Sequence, residues 1–438
     1  MQFTEEFLYH IWDANHLNLH LTTVSGKNLV IKFSGRWNTD SGPDFKDAIL
    51  EINGQIQKGD IEIDLTSYHW KSHSHNENPE FNNVLLHLVY EDNGKFPYTI
   101  NEEGEKIEIL EIKDQLADDI TKLIKHYSSE PFIEKDKTCL LFNNMNLTET
   151  EKFLKKMGKM RFEKKIKRFS AEHFFSDFDQ LSYMGFMEAL GYSKNKYQML
   201  QIALNVPYKD LKKFYKKGMT KHEFLAILLR TSNLIEHLPL LISSDQKNKW
   251  QKLFQQQTFT KEATDINWKL FRIRPVNHPV IRILQVVDLL YISLETSFFH
   301  QILKLFSFPT DNYKPSEFKK KFYEYFQAEN SYIPQRYKLG KTRLDTILIN
   351  IILPLTILYA REKQYKHLEE IVKIIYQSYP GLPANYLTQY MAKFLNDEQN
   401  KLLRKKAIYQ QGLLKVYYDN CQHHYCEACK ANQSDSTD

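Results

Sequence analysis

The stretch DAILEINGQIQKGDIEIDL, Asp47–Leu65, reads as two β-strands joined by a tight turn. Asp47–Ile52 and Gln57–Leu65 read as strands, the second alternating over Ile61, Ile63 and Leu65, and Asn53-Gly54 between them suits a two-residue hairpin whose central residues need positive φ. Upstream, Asn28–Phe33 alternates in the same way. Downstream, the run Val84–Tyr90 is apolar almost without interruption, which suits a strand buried on both faces. Before the first strand, Phe7, Leu8, Ile11 and Trp12 form a stripe at helical spacing, with Thr4 placed to cap it and Glu5 and Glu6 in the first turn. Either those acids serve the helix dipole, or one of them points into a site from the side. The expected order is helix, three strands, a short crossing element at residues 79–83, then a buried strand. A further pair of strands is expected at Thr99-Ile100 and Ile107–Ile112.

Residues two apart in a strand share a face, so Glu62 and Asp64 project together, and Asp44 just precedes the neighbouring strand. Gly42 and Pro43 set a turn before Asp44, and Gly59 permits a bulge or a close backbone approach. Three converging carboxylates repel one another unless a hard divalent cation lies between them, which points to Mg²⁺ or Mn²⁺. Such an ion polarises a phosphoryl oxygen and generates hydroxide, so phosphodiester hydrolysis is the first reaction to consider. A solvent-facing strand edge is the competing reading. His69, His73 and His75 follow within seven residues, as metal ligands, a general base or phosphate donors. His87, inside the apolar strand, reads as a core residue.

The chain has 438 residues, of which 42% are apolar and 26% charged, with a net charge of +5. That is a globular composition with room for two or three domains. The N-terminus does not have the form of a signal peptide, and the apolar run 347–359 is short for a bilayer span, so a cytoplasmic protein with no membrane partner is expected. A helix is expected over Lys113–Tyr127, and a capping box at Thr148–Glu151 opens a long half with helical patterning. Phe174, Phe175 and Phe178 read as one helix with Leu181–Leu190. Other helices are expected at 224–235, 281–299, 318–326, 344–359, 367–376 and 384–394. The expected fold is therefore α+β: a mixed sheet flanked by helices over 1–140, an all-α region over 141–418, and a Cys/His segment with a polar tail over 419–438.

Lys152–Arg168 is densely basic; Lys155 and Lys159 exemplify a face that is either simply solvated or suited to a phosphate backbone. Arg272, Arg274 and Arg282 flank Pro279, where a helix start with Asn277 or His278 at its cap suits an anion; the alternative is arginines bridging helices. Cys421, Cys426 and Cys429 are spaced like ligands of Zn²⁺ or of an iron–sulfur cluster. Cys139, or His423 or His424, supplies a fourth ligand.

The helix–meander–strand order with Pro43-Asp44 and Glu62-Ile63-Asp64 resembles the PD-(D/E)XK nuclease superfamily over the first ~95 residues. That resemblance implies a restriction-endonuclease-like core acting on DNA or RNA. Asp64 stands where the superfamily usually has lysine, and Lys46, Lys58 and Lys71 are the nearby candidates to replace it. More closely, the chain resembles the bacterial DUF2851 family. The matching blocks are Glu6–Trp12, Gly35–Asn38 with Gly42–Phe45, Gly59–Ile63, His69-Trp70 with His73 and His75, Val84–Leu88, Arg272–Asn277 with Pro279 and Arg282, and Ile349-Asn350 with Leu353-Pro354. The family carries no established activity. Three readings stay open: a metal-dependent nuclease, a nucleic-acid-binding or assembly protein on the same fold without catalysis, and a hydrolase of a small phosphorylated substrate.

Overall fold

A computed structural model describes residues 3–127, 139–237, 266–308, 314–327 and 338–423, with a few isolated positions between 244 and 252. By contact the chain forms two compact units, 1–174 with 384–402 and 411–438, and 175–383 with 403–410. The boundary at 140/141 read from sequence separates strand from helix content, whereas contact places the division after Phe174.

The first unit is built on a mixed sheet. Its strands are β1 (Leu21–Thr22), β2 (Asn28–Phe33), β3 (Arg36–Trp37), β4 (Phe45–Ile52), β5 (Gln55–Thr66), β6 (Val84–Glu91), β7 (Tyr98–Ile100) and β8 (Lys106–Glu111). They run in the order β1-β2-β4-β5-β6-β8-β7, with β3 paired to β4 off that path. β2, β4 and β5 form an antiparallel meander, while β5, β6 and β8 are parallel. The hairpin turn is Asn53-Gly54, with φ of 49° and 80°, the positive values that its sequence suits. Gly59 has a separate role. A Cβ there would lie 2.8 Å from the Asn83 carbonyl oxygen and 2.8 Å from Leu85 Cβ, so only glycine lets β5 meet the start of β6.

Helix α1 (Glu5–Ala14) starts at Thr4, whose side chain makes no capping hydrogen bond. Its stripe Phe7, Leu8, Ile11 and Trp12 shares one core with Ile61 and Ile63 of β5 and with Leu86 and Leu88 of β6. A smaller cluster of Trp70, Phe81, Val84 and Ile107 lies apart from it. Short helical pieces connect β5 to β6: α2 (His69–Ser72) and 3₁₀ turns at His75–Glu77 and Pro79–Phe81.

Two sequence expectations change here. The helix after β8, α3, spans Ile120–Tyr127 and does not begin at Lys113; a short α4 (Leu140–Asn143) comes later. Residues ahead of α3 are drawn into pairing instead. Leu116 bridges to Leu17, and the Gln115 side chain accepts from Thr22 N at 2.7 Å and donates to Thr22 O at 2.8 Å. The capping box of the long helix α5 (Leu147–Glu172) is Asn146 with Glu149, which satisfies the first turn two residues earlier than expected.

The second unit is helical in its described residues. Phe174 and Phe175 are exposed and precede a separate helix, Phe178–Leu190, capped by Asp177. The expected 281–299 helix is two, Pro279–Ser293 and Phe298–Leu303. Lys341–Glu362 is long and apolar enough to cross a membrane, and 72% of its most apolar window is buried within the protein. It includes a π-turn at Leu348–Ile352 immediately before Pro354, whose missing N–H removes one rung of the α-helical ladder.

Candidate metal centre

Strand β5 sets the geometry. Ile61 and Ile63 belong to the main core, so the alternate residues Glu62 and Asp64 project to the other face, where they are 7% and 1% exposed. Asp44 arrives from the loop ahead of β4. Gly42 (φ 86°) turns that loop, and Asn38 clamps it by donating from Nδ2 to Ser41 O at 2.9 Å and to Pro43 O at 3.0 Å. Asp44 Oδ2 then accepts from Ile63 N at 3.0 Å, and Asp44 N donates to Glu62 Oε2 at 3.2 Å. The Tyr9 phenol on α1 also donates to the Asp44 carboxylate.

The histidines reach the same carboxylates from the β5–β6 connection. His69 and His73 sit one turn apart, with stacked rings 5.1 Å between centroids. Ser74 at φ 61° reverses the chain, and His75 stacks on Phe81 at 4.0 Å. Trp70 anchors the segment, fully buried, its Nε1 donating to Ile100 O at 2.9 Å. His73 Nδ1 lies 3.2 Å from Asp64 Oδ1, His75 Nε2 3.1 Å from Glu62 Oε1, and His69 Nδ1 3.5 Å from Glu5 Oε1 and 3.9 Å from Asp64 Oδ1. Two groups of donor atoms therefore gather, Glu5/Asp64/His69/His73 and Glu62/Asp64/His75, each within 4.8 Å mutually, with Asp64 common to both. Of the two first-turn acids, Glu5 is the one that enters.

These approaches are not ordinary hydrogen bonds. His69 Nδ1 and His75 Nε2 are buried, yet among the described residues neither has a hydrogen-bond partner. Donor atoms that stand ~3 Å apart without bonding each other are what cis ligands of one ion at ~2.1 Å do. Burial first, and then the charge of Glu62, pushes the Asp44 carboxyl up to about 8. Burial followed by the charge of Asp64 does the same to Glu62, also to about 8. Burial holds His75 below its ordinary value, which favours the neutral imidazole that metals bind. The donor set thus combines crowded carboxylates with bare ring nitrogens, and a divalent cation satisfies both.

His87 sits fully buried behind the cluster. Its Nε2 lies 3.0 Å from Asp64 Oδ2, so this core histidine orients a donor carboxylate. Tyr9 and His87 complete the site from elements that the sequence marked as packing faces.

The other predicted residues are placed as follows. Lys46 pairs with Asp60 at 3.1 Å and Lys58 with Asp47 at 2.9 Å, so both are committed outside the cluster. Lys71 is exposed. Lys155 and Lys159 are exposed on α5, whereas Arg161 and Lys165 of the same helix donate to Gln411. Cys139 and Cys421 are half-buried; Cys426, Cys429 and His424 lie outside the described residues. Arg272 and Arg274 are exposed and Arg282 is buried, so the three do not form one group. His278 caps the helix that follows, its Nδ1 accepting from Val280 N at 3.3 Å.

Fold and site together define an α+β protein with a His/carboxylate cluster on the central strands of a mixed sheet, joined in one chain to a helical unit. A family model described as a protein of unknown function (DUF2851) matches residues 5–381, and the chain belongs to that family. Comparison with curated proteins and with solved structures found no match in either.

Proposed function

We propose that the first unit is a metal-dependent phosphodiesterase acting on nucleic acid, with metal held by Glu5, Glu62, Asp64, His69, His73 and His75 and flanked by Asp44. The observation that carries this reading is the convergence of His73 on Asp64 at 3.2 Å and of His75 on Glu62 at 3.1 Å, with the buried Nε2 of His75 finding no hydrogen-bond partner among the described residues. The order helix, antiparallel meander, short helical crossing and parallel strand supports a PD-(D/E)XK-like core. Imidazole donors favour Mn²⁺ or a comparable transition ion over Mg²⁺, which prefers oxygen ligands throughout. When bound, such an ion supplies Lewis acidity and an activated water. The chain's own groups do the rest. His87 fixes the orientation of Asp64, Tyr9 holds the Asp44 carboxylate, and Asp44 stands beside Glu62 as the acid/base group nearest the cluster. The exposed lysines of α5 supply a phosphate-binding face.

Labelled single- and double-stranded DNA and RNA, incubated with Mn²⁺ or with EDTA, test this. Cleavage should require Mn²⁺ and fall at least a hundredfold in Glu62→Gln. Cleavage unchanged in both Asp44→Ala and Glu62→Ala would overturn the assignment. A second reading, nucleic-acid binding without hydrolysis, draws on Lys46 and Lys58 being paired with Asp60 and Asp47. Salt-sensitive binding with no cleavage under any divalent ion supports that second reading.

A further inference from the structure

In the helical unit, two guanidiniums converge on one tyrosine, and among the described residues no carboxylate balances them. Arg282 is 4% exposed, and its Cζ lies 4.3 Å from the centroid of the Tyr192 ring; Arg343 Cζ lies 3.2 Å from the same centroid. Among the described residues their hydrogen-bond partners are neutral. Arg282 donates to Gln285 Oε1 at 2.7 Å, to the Tyr192 hydroxyl at 2.5 Å and to Asn277 Oδ1, and Arg343 donates to Ala189 O at 3.2 Å. The Nε of Arg282 is buried with no partner at all. Among the described residues no carboxylate acts on either group. Buried charges are normally paired, and two like charges that share a site cost more than one.

The surroundings share the same sign. Burial, partly offset by Tyr192 and reinforced by the neighbouring Arg343, lowers Arg282 to about 10, which leaves it charged at neutral pH. The helix Pro279–Ser293 begins beside it, adding the partial positive charge of its N-terminus. Tyr192 itself is held at φ 57°, an unusual conformation for a bulky side chain, and so presents its ring to both arginines. Tyr192 and Arg343 are only half-buried, which leaves the pair open to solvent on that side.

We propose that Arg282, Arg343 and Tyr192 form a binding site for a phosphate group. A phosphate at neutral pH carries a charge of about −1.5 to −2, which matches two guanidiniums, and its oxygens accept from non-coplanar donors better than a planar carboxylate does. All three residues lie in the second unit.

The test is thermal unfolding and calorimetry of the full chain with inorganic phosphate and, in a second arm, a nucleoside monophosphate. Acetate and chloride at matched ionic strength serve as controls. Phosphate should raise the unfolding temperature where acetate and chloride do not, and a stronger response to the monophosphate would identify an ester as the source. Arg343→Gln should weaken phosphate binding at least tenfold and leave the ligand-free protein as stable as wild type or more so, because an uncompensated charge is removed. No phosphate-specific shift in the wild type, or equal phosphate affinity in wild type and Arg343→Gln, overturns the proposal.

Discussion

Replacing Asp64 with Asn separates a ligand from a structural acid, because the two roles predict opposite signs in the metal-free protein. Asp64 is 1% exposed, accepts from His87 at 3.0 Å and lies within 4.8 Å of donor atoms on both Glu62 and Glu5. Glu62, pushed up to about 8, is mostly uncharged at neutral pH, so the repulsion that counts is that between Asp64 and Glu5, roughly 3 kcal/mol at an effective dielectric of 20. Asn keeps the shape and removes the repulsion, but it weakens the charge-assisted bond to His87, which is worth about 1.5–3 kcal/mol. The two terms nearly cancel, so metal-free Asp64→Asn should unfold within a few degrees of metal-free wild type. Metal changes the comparison. At a hundred times its dissociation constant, an ion bound only by the folded state adds about 2.7 kcal/mol, or roughly 5–11 °C for a unit of this size. Wild type should gain that increment on adding Mn²⁺ and lose it to EDTA, while Asp64→Asn should show almost none. Calorimetry of both proteins in both conditions reads all four values. An equal Mn²⁺ increment in the variant, or a large metal-free destabilisation, would refute the reasoning.

Other substitutions probe the supports. His87→Ala leaves Asp64 without its orienting donor and should weaken Mn²⁺ binding about 10–100-fold, read by competition with a chelating dye; unchanged affinity would make His87 a packing residue only. Gly59→Ala places a Cβ 2.8 Å from Asn83 O and Leu85 Cβ, and should cost about 1–3 kcal/mol in urea denaturation; a neutral result would mean that β5 and β6 can part there. Asp47 is pushed up by burial, but Arg36 and Lys58 outweigh this and hold it below its ordinary 3.8. Its contribution to stability is therefore complete above that value and is lost as pH falls through the lower folded-state value. Asp47→Asn should be less stable than wild type at neutral pH, and the difference should shrink in acid; a constant difference would contradict the pairing.

Much of the sheet was legible because strand period and turn chemistry agree in one short stretch. Ile61 and Ile63 alternate with Glu62 and Asp64, and Asn53-Gly54 can turn the hairpin in one way. The histidine cluster was visible as a density of ligand types, although its direction was not. What places His75 on Glu62 is the ring of Phe81 beneath it, a contact made by tertiary packing. Tyr9 belongs to a helix whose apolar stripe is complete without it, so nothing in the local pattern connects it to Asp44. Helix ends were the least legible. Asn146 takes the capping role from Thr148, and the pairing of Leu116 with Leu17 lies within the residues lost from the helix expected at Lys113, about two turns of it. Arg282 reads as part of a basic group with Arg272 and Arg274 until Arg343, distant in sequence, arrives over Tyr192.

Glu5 opens the first helix and His69 opens the short helix after β5, so an ion shared by them would close a loop of 64 residues, 69 minus 5. In chain-statistics terms such a clasp acts as a reversible cross-link, and one of this span would remove entropy from the unfolded chain worth roughly 4 kcal/mol. Its release would be felt first at the N-terminal end of α1, where Glu5 has only its own turn to hold it. Amide exchange over residues 5–14, compared with and without Mn²⁺, would then register metal loading as a change in how firmly the chain's first helix stays docked.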